Sequence, residues 1–346
     1  MFESQPRRFG RARSVSMKDI AERVGVSISL VSKVLSQRLG TTGVSEKTAR
    51  RIREVAAELG YNRNASALAL LRGRHSTLGV YIHRQGMLGS GYIDELLDGI
   101  ASVAHSHRQR LSLNFYSTAK EILALSKDAH LGTMDGLLLA GIAHSETSER
   151  LSAIYRAGLP IVTLHENPFS PEIPNIGMDQ DYVGQLATEH LISRGSRRIA
   201  HIVNIGARFE GYQRALRKAD ILYDPRLIFE VELRGDFSHE VGVAAVRELR
   251  ARGVEFDAIF AQSDQEGAGC INELSAHGVR VPEDVRVIGV DNAPFCDLLQ
   301  VPLTSVSQEH RKRGQLAVQA IMALIDNEPV ETVSLEPVIY IRESTR

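Results

Sequence analysis

Seven polar or aromatic residues have the chemistry to bind a small polar molecule. In open α/β sheets, ligands bind beyond the carboxyl ends of the strands, so the residues that follow strand-like apolar runs are the first candidates. The guanidinium fork of Arg208 suits hydroxyl or carboxylate groups, and the ring of Phe237 can stack on a ligand ring. We predict a cleft site formed by Ser90, Tyr92, His165, Arg208, Phe237, Asp264 and Asp291.

Each of these candidates also has an ordinary structural explanation. Arg208 can form a surface ion pair, Asp264 can cap a helix, and Phe237 can be a core ring. Residue chemistry alone leaves both interpretations open. The prediction therefore depends on whether the fold brings the seven residues together.

The sequence offers no pattern for catalysis or for a cofactor. Its twelve histidines lack metal-site spacing, and His105 and His107 would face opposite sides of a helix. Cys270 and Cys296 are expected to be reduced, partly buried thiols. A glycine-rich nucleotide fingerprint, a phosphate loop and a nucleophile elbow are all missing. We predict no cofactor, no metal site and no enzymatic activity.

A second group of candidates lies on a helix pair in residues 17–36, MKDIAERVGVSISLVSKVLS. Gly25 can adopt a positive φ and allow a sharp turn, and Ser27 can cap the second helix. Apolar residues recur at three- and four-residue steps, as one buried stripe on each helix requires. They are Ile20, Ala21, Val24, Val31, Val34 and Leu35. The pattern predicts a helix-turn-helix, although a plain helical hairpin would share it.

If that stripe faces inward, the opposite face of the second helix can read base edges. Serine and lysine side chains can bond to base edges, and aliphatic ones such as Ile28 and Leu30 can contact thymine methyl groups. The residues left facing out are Ile28, Ser29, Ser32 and Lys33. The predicted DNA contacts of this region are Lys18, Ser27, Ile28, Ser29, Leu30, Ser32 and Lys33.

The charge of the chain is divided unevenly. Residues 1–74 contain 15 Lys and Arg against 6 Asp and Glu, a balance of +9, and the remaining residues have a balance of −10. A basic head concentrates affinity for DNA phosphates near the helix pair, and an acidic body discourages other contacts with DNA.

From residue 77 onward, apolar runs alternate with helical segments, which predicts doubly wound α/β sheets with helices on both faces. The predicted buried parallel strands are Leu78–Ile82, Leu111–Phe115, Gly136–Leu139, Ile161–Leu164, Ile199–Val203, Ala258–Ala261 and Val285–Val290. The helices between them are Tyr92–Ser106, Tyr182–Ser193, Glu210–Lys218, His239–Arg252, Glu266–His277 and Arg311–Asp326.

The total of 346 residues favours two or three domains. No apolar run approaches the ~20 residues that span a bilayer, and the basic first 16 residues lack the apolar core of a secretory signal. We expect a cytoplasmic protein that associates with the nucleoid and not with membranes.

The sequence resembles the LacI/GalR family of bacterial transcription repressors. The likeness begins at residues 17–36 and continues with VSEKT at 44–48 and LGY at 59–61. It extends through VPEDV at 281–285, IGVD at 288–291, PLTSV at 302–306 and REST at 342–345. Several dispersed motifs in the same order are more specific than any one of them.

The resemblance implies a helix-turn-helix headpiece followed by a two-lobed domain like the periplasmic sugar-binding proteins. We expect a disordered basic arm at 1–16, the headpiece at 17–61, a hinge helix and linker at 62–76, and an effector-binding and dimerisation domain at 77–342. The headpiece would include a third helix, capped by Ser45 and ending at Gly60. In the hinge, Asn64 and Leu70 match family positions that contact DNA, with Leu70 as a minor-groove wedge; a plain linker is the alternative.

The resemblance also implies a homodimer that binds a pseudo-palindromic operator and a small, sugar-like effector between the lobes. Three departures limit what can be transferred: Arg63 replaces the usual proline before the hinge asparagine, Ser90-Gly91-Tyr92 replaces Asn-Pro-Phe, and His165-Glu166 replaces an Asp-Arg pair. Lys33 also stands where the family often has arginine. The alternatives from other classes are a cytoplasmic small-molecule-binding protein and an α/β enzyme with a helical appendage. Effector identity, its direction of action, the operator, and dimer versus tetramer stay open.

Overall fold

The computed structural model describes residues 15–36, 44–61, 74–84, 92–124, 132–141, 144–165, 170–231 and 238–346. The chain divides into two compact units, an N-terminal unit that ends at His75 and a core unit that begins at Ser76. The candidates Asn64, Leu70, Ser90 and Phe237 lie outside the described residues. Among the described helices, none is long and apolar enough to cross a membrane.

The N-terminal unit contains three helices, α1 (Met17–Val24), α2 (Ile28–Leu35) and α3 (Glu46–Glu58). Gly25 adopts φ +77° between the first two helices, as its predicted turn requires. Each helix begins at a serine cap: Ser27 Oγ accepts from the amide of Leu30 at 3.2 Å, and Ser45 Oγ accepts from Thr48 at 3.2 Å. The predicted caps of the second and third helices are confirmed.

A small apolar core holds these helices together. Its fully buried side chains include Ile20, Val31 and Ile52, each of which contributes roughly 1.5–3 kcal/mol through burial. The remaining buried members are Ala21, Val34, Ala49, Val55 and Ala56. The inward faces predicted from the three- and four-residue spacing are therefore confirmed.

The first lobe of the core unit is built on a four-stranded parallel sheet with the order β2-β1-β3-β4. The strands are β1 (Thr77–His83), β2 (Arg110–Tyr116), β3 (Gly136–Ala140) and β4 (Ile161–Leu164). Its helices are α4 (Tyr92–Ser106), α5 (Ala119–Ala124) and α6 (Ser148–Arg156), together with α11 (His310–Ile325) from late in the chain. Apolar residues of α4 and α11 pack on the strands in one core.

The second lobe contains a six-stranded sheet with the order β12-β10-β9-β8-β6-β7, in which only β12 is antiparallel to its neighbour. Its strands are β6 (Ile199–Val203), β7 (Ile228–Glu230), β8 (Ala258–Phe260), β9 (Arg286–Val290), β10 (Thr304–Ser307) and β12 (Val338–Tyr340). Its helices are α7 (Gln180–Ser193), α8 (Gly206–Lys218), α9 (His239–Ala251) and α10 (Asp264–Ala276).

The chain crosses between the lobes at three places: before α7, between β10 and α11, and after α11. Two short strands, β5 (Ile176–Met178) and β11 (Val333–Leu335), pair in parallel at the first and third crossings. Parallel sheets and repeated crossings agree with the predicted two-lobed α/β architecture.

One predicted strand differs from expectation. The run Leu111–Phe115 does form a strand, but it is not buried, since Leu113 and Phe115 are each 47% exposed. Among the described strands it lies at the edge of its sheet and pairs with β1 alone. Apolar composition located this strand correctly but could not distinguish an edge from a centre.

Candidate functional site

A chain of polar side chains, all buried except the partly buried Asp291, connects the second lobe to α11 of the first lobe. Arg208 Nε donates to Gln180 Oε1 at 2.7 Å, and Gln180 Nε2 donates to Gln308 Oε1 at 2.7 Å. Gln308 Nε2 donates to Asp291 Oδ1 at 2.5 Å, and His310 Nε2 donates to the same oxygen at 3.1 Å. We call these five residues the interlobe network.

Each member of the network lies at the end of an element. Asp291 follows β9, Gln308 follows β10, and Arg208 is in the first turn of α8 after β6. These are carboxyl ends of strands in the same six-stranded sheet, where ligands of α/β proteins bind; β9 and β10 are neighbours, and β8 lies between β9 and β6. Gln180 and His310 begin the two helices that follow lobe crossings.

Close helix contacts hold the backbone of this site. A Cβ atom on Gly184 of α7 would overlap the carbonyl oxygen of Arg208, and one on Gly99 of α4 would overlap that of Arg311 in α11. Because glycine has no side chain, α7 can pack closely on α8 and α4 can pack closely on α11. This close packing holds the site residues of these helices in position. Asp291 itself has φ +106°, a left-handed conformation that is strained for a residue with a side chain.

Asp291 is the ionised carboxylate of the network. Burial alone would raise its pKa, but the hydrogen bond from His310, the charge of Arg208 and the hydrogen bond from Gln308 lower it. Burial in turn lowers the pKa of His310 in spite of the carboxylate beside it. At neutral pH we therefore expect Asp291 to be charged and His310 to be a neutral donor.

Asp264, another candidate, lies behind the network. Its Oδ1 accepts from Ser305 Oγ at 2.5 Å and its Oδ2 from the amide of Ala293 at 2.6 Å, so both oxygens are bonded within the lobe. Burial and the nearby charge of Asp291 raise its pKa to about 7. The helix cap itself is Ser263, which forms a reciprocal capping box with Glu266.

The first-lobe side of the site contains aromatic and imidazole rings. Tyr92, at the start of α4, contacts His310 edge to face with ring centroids 4.2 Å apart. His165, directly after β4, donates from Nδ1 to the carbonyl of Gly141 at 2.6 Å. Burial lowers the pKa of His165 to about 4, so it is neutral at physiological pH.

Three further rings lie near one another in this lobe, and no sequence pattern pointed to them. His83 ends β1 and contacts both Tyr116, at a centroid distance of 5.0 Å, and His144, at 5.3 Å. The charge of Arg313 in α11 acts on both His165 and His310. Of the predicted site residues, Arg208 and Asp291 are therefore members of the interlobe network, and Tyr92 contacts the network through His310.

The DNA-binding candidates lie mainly on the exposed face of α2. Ile28 is 48% exposed, Ser29 and Lys33 are exposed, and Ser32 is half-buried. Leu30 packs partly against the headpiece core, and the hydroxyl of Ser27 serves as the helix cap. On α1, Lys18 is exposed and forms an ion pair with Glu22 at 3.8 Å.

Groups of histidine, cysteine and acidic residues that could hold a metal ion do not occur within the described ranges. Cys270 and Cys296 are free and fully buried, more so than predicted. Burial raises the pKa of both thiols, which leaves them uncharged at physiological pH.

Two family models match the chain. Residues 16–64 match the bacterial regulatory proteins of the lacI family, and residues 188–345 match the periplasmic binding protein-like domain. The transcriptional regulator CelR of Thermobifida fusca is 30% identical over 96% of this chain and 99% of its own length. Catabolite control protein A of Priestia megaterium is 27% identical over 96% of this chain and 100% of its own.

Solved structures agree with these matches. A complex of the regulator CelR with cellobiose has a TM-score of 0.69 and 29% identity, over 95% of this chain and 99% of that one. The Lac repressor dimer bound to operator and the anti-inducer ONPF has a TM-score of 0.81 over 96% of this chain and 99% of that one. At 22% identity the second likeness shows the fold alone. The chain belongs to the LacI family of bacterial transcriptional regulators, with an N-terminal DNA-binding domain and a periplasmic-binding-protein-like effector domain.

Proposed function

We propose that this regulator is a homodimeric repressor whose affinity for a pseudo-palindromic operator is controlled by a small polar effector bound between its lobes. The observation that carries the proposal is the interlobe network. It places an arginine, a carboxylate, two amides and an imidazole where two lobes and a crossing segment meet. These groups match the donors and acceptors of a hydroxyl-rich, sugar-like molecule.

The interlobe network also offers a mechanism by which effector binding changes the affinity for DNA. Gln308 and His310 flank a lobe crossing, so a ligand that replaces their bonds to Asp291 changes the contacts between lobes. A ligand shifts a conformational equilibrium only as far as it binds one state better than the other. We propose that the two states differ in lobe closure and, through it, in the spacing of paired headpieces.

For the DNA side, we propose that Ile28, Ser29, Ser32 and Lys33 face the major groove. Lysine reaches guanine acceptors without the flat fork of arginine, so Lys33 should discriminate its base pair weakly.

We propose the same division of the chain as the sequence predicts: an arm at 1–16, a headpiece at 17–61, a hinge at 62–76 and an effector domain at 77–342. A two-fold dimer doubles the few base contacts of one headpiece, and the exposed Leu113 and Phe115 on β2 supply apolar surface for pairing.

Selection of genomic DNA fragments on the full-length protein tests the proposal. We expect a two-fold symmetric site, a dimer in sedimentation, and a change of about 5- to 150-fold in operator affinity with one member of a sugar panel. Any panel member that binds should also be checked for turnover, because turnover would favour the enzyme alternative. A monomer without specific DNA affinity would contradict the proposal.

A further inference from the structure

Arg313 is a buried cation at the edge of the first lobe. It lies near the start of α11 and is only 3% exposed. Its Nη2 donates to the carbonyls of Leu164 at 3.1 Å and Ile176 at 3.2 Å, and its Nε donates to Ile176 at 3.3 Å. Leu164 ends β4, so the guanidinium group lies at the carboxyl edge of the sheet, where ligands bind.

Carbonyl groups satisfy donors but do not neutralise a charge. In the described part of the chain no carboxylate pairs with Arg313, and its Nη1 forms no hydrogen bond. A guanidinium group stays protonated in proteins, and burying a charge without a counterion is costly. The fold thus keeps a positive charge that its described hydrogen bonds do not balance.

The described acidic groups in and around the interlobe network are already bonded or largely uncharged. Asp291 accepts hydrogen bonds within the interlobe network, and the positive charge of Arg208 lowers its pKa. Burial raises the pKa of Asp264 to about 7 and that of Glu266 to about 8, so neither is a full negative charge at neutral pH. Glu309, which precedes α11, is only half-buried and accepts from Ser307 Oγ at 2.9 Å.

The imidazole groups beside Arg313 are neutral donors and acceptors. Burial lowers the pKa of His165 and of His310, and the charge of Arg313 lowers both further. His310 is 2% exposed, and its Nδ1 is buried without a hydrogen-bond partner in the described chain. Nε2 of His144 is likewise buried without a hydrogen-bond partner in the described chain. These nitrogens can bond to a ligand without adding charge.

A purely structural role for Arg313 would be to clamp the ends of β4 and β5. Such a clamp needs donors only, and the amide group of glutamine also supplies donors without the cost of a buried charge. The clamp explains the carbonyl bonds and leaves the charge unexplained. A negatively charged ligand would explain both.

Resting on the proposed function, we infer that the effector is a small polyhydroxylated anion whose single carboxylate or phosphate group lies against Arg313. The hydroxyl groups of this ligand would then bond to Asp291 and Arg208, and the imidazole of His310 would lie between the two ends. Arg313 is therefore a specificity-determining residue, which selects sugar acids or sugar phosphates over neutral sugars.

Calorimetric titration of the full-length protein tests this inference with D-gluconate, D-galacturonate and D-glucose 6-phosphate against neutral D-glucose, D-galactose and cellobiose. We expect at least one anion to bind about 10- to 100-fold more tightly than its neutral counterpart, the range of a charge-assisted hydrogen bond. Arg313→Met should abolish that preference, and Arg313→Lys should retain part of it. Arg311→Met is the matched control, because Arg311 is exposed on the same helix and pairs with Asp98 at 2.8 Å.

The outcomes separate this inference from the proposed function. Tighter binding of a neutral sugar, or no binding of any anion, would overturn the anionic effector while leaving a sugar-controlled repressor in place. An anion preference that survives in Arg313→Met, with the melting temperature unchanged, would overturn the role of Arg313. If anions bind as expected and operator affinity never changes, the proposed regulation fails and the anion site stands.

Discussion

The side-chain amide of Gln308 donates to the Asp291 carboxylate across 2.5 Å, and Gln308 lies on a segment where the chain crosses between the lobes. A ligand hydroxyl that donates to the same oxygen, Asp291 Oδ1, must share or displace this bond. Ligand binding at Oδ1 is therefore coupled to the position of the crossing segment.

Asp291→Asn tests this relationship. Asparagine tolerates the positive φ at this position, so the backbone should persist while the charge is lost. We expect effector affinity to fall about 10- to 100-fold, the loss of a charge-assisted hydrogen bond. Operator affinity without effector should stay within about twofold, as measured by fluorescence anisotropy. Simultaneous loss of both affinities would instead indicate misfolding.

Gly184→Ala tests whether close packing of α7 on α8 positions Arg208. The added methyl would overlap the carbonyl oxygen of Arg208, so the helices must separate. We expect a cost of about 1–3 kcal/mol in the free energy of unfolding of the core unit, together with weaker effector binding.

Gly206→Ala is the control, since a Cβ atom there has nothing within 4 Å. Calorimetric unfolding of both variants would measure the difference. Equal stability of the two would show that the contact between α7 and α8 has room to relax.

Much of this fold could be predicted from sequence, because its strands and helices follow hydropathy closely. The seven predicted strands and six predicted helices of the core unit are all present, and α4 has the predicted bounds. The headpiece followed from serine caps and one glycine. These features are local, and they agree with the tertiary packing.

The strand β10 and the site residue after it could not be predicted in the same way. Its sequence TSVS has one apolar residue, yet all four residues are buried. Hydroxyl bonds make this burial possible: Thr304 Oγ1 donates to the carbonyl of Arg342 and Ser305 Oγ donates to Asp264. Because β10 was not predicted as a strand, the rule that ligand-binding residues follow strands did not identify Gln308 as a candidate.

The pH dependence of stability offers a test of the buried acids. Burial raises the pKa of Glu266 to about 8, above its value in the unfolded chain, so the folded state holds this proton more tightly. The stabilisation is therefore complete at low pH and is lost as the pH rises through about 8. Burial lowers the pKa of histidines such as His165 and His201. Above pH ~7.5 these histidines are neutral in both the folded and the unfolded state, so they do not make the free energy of unfolding depend on pH there.

We expect the free energy of unfolding to fall by at most about 1.4 kcal/mol per pH unit between pH ~7 and ~8 on account of Glu266. Glu266→Gln should flatten this fall, since an amide mimics the protonated acid and can accept from the amide of Gln262, as Glu266 Oε2 does at 2.7 Å. Denaturant titrations at a series of pH values would measure the slope. An unchanged slope in the variant would show that Glu266 is already ionised at neutral pH.

Leu70→Ala tests the proposed minor-groove wedge, which lies outside the described residues. If this leucine unstacks a base step, its truncation should weaken specific operator binding by about tenfold and leave non-specific binding and effector affinity nearly unchanged. The measurement is anisotropy on operator and on scrambled DNA. Unchanged operator affinity would favour a plain linker.

Ile28→Ala tests the reading face of α2. Because Ile28 is 48% exposed, its truncation should cost less than about 0.5 kcal/mol of stability. If its side chain contacts a thymine methyl group, specific affinity should nevertheless fall by about 5- to 30-fold, and mostly at one base pair of each half-site. Leu222→Ala is the matched control, since Leu222 is 93% exposed in the core unit. A loss of affinity equal in both variants, or equal on operator and scrambled DNA, would remove Ile28 from the set of base-reading residues and leave that task to Ser29, Ser32 and Lys33.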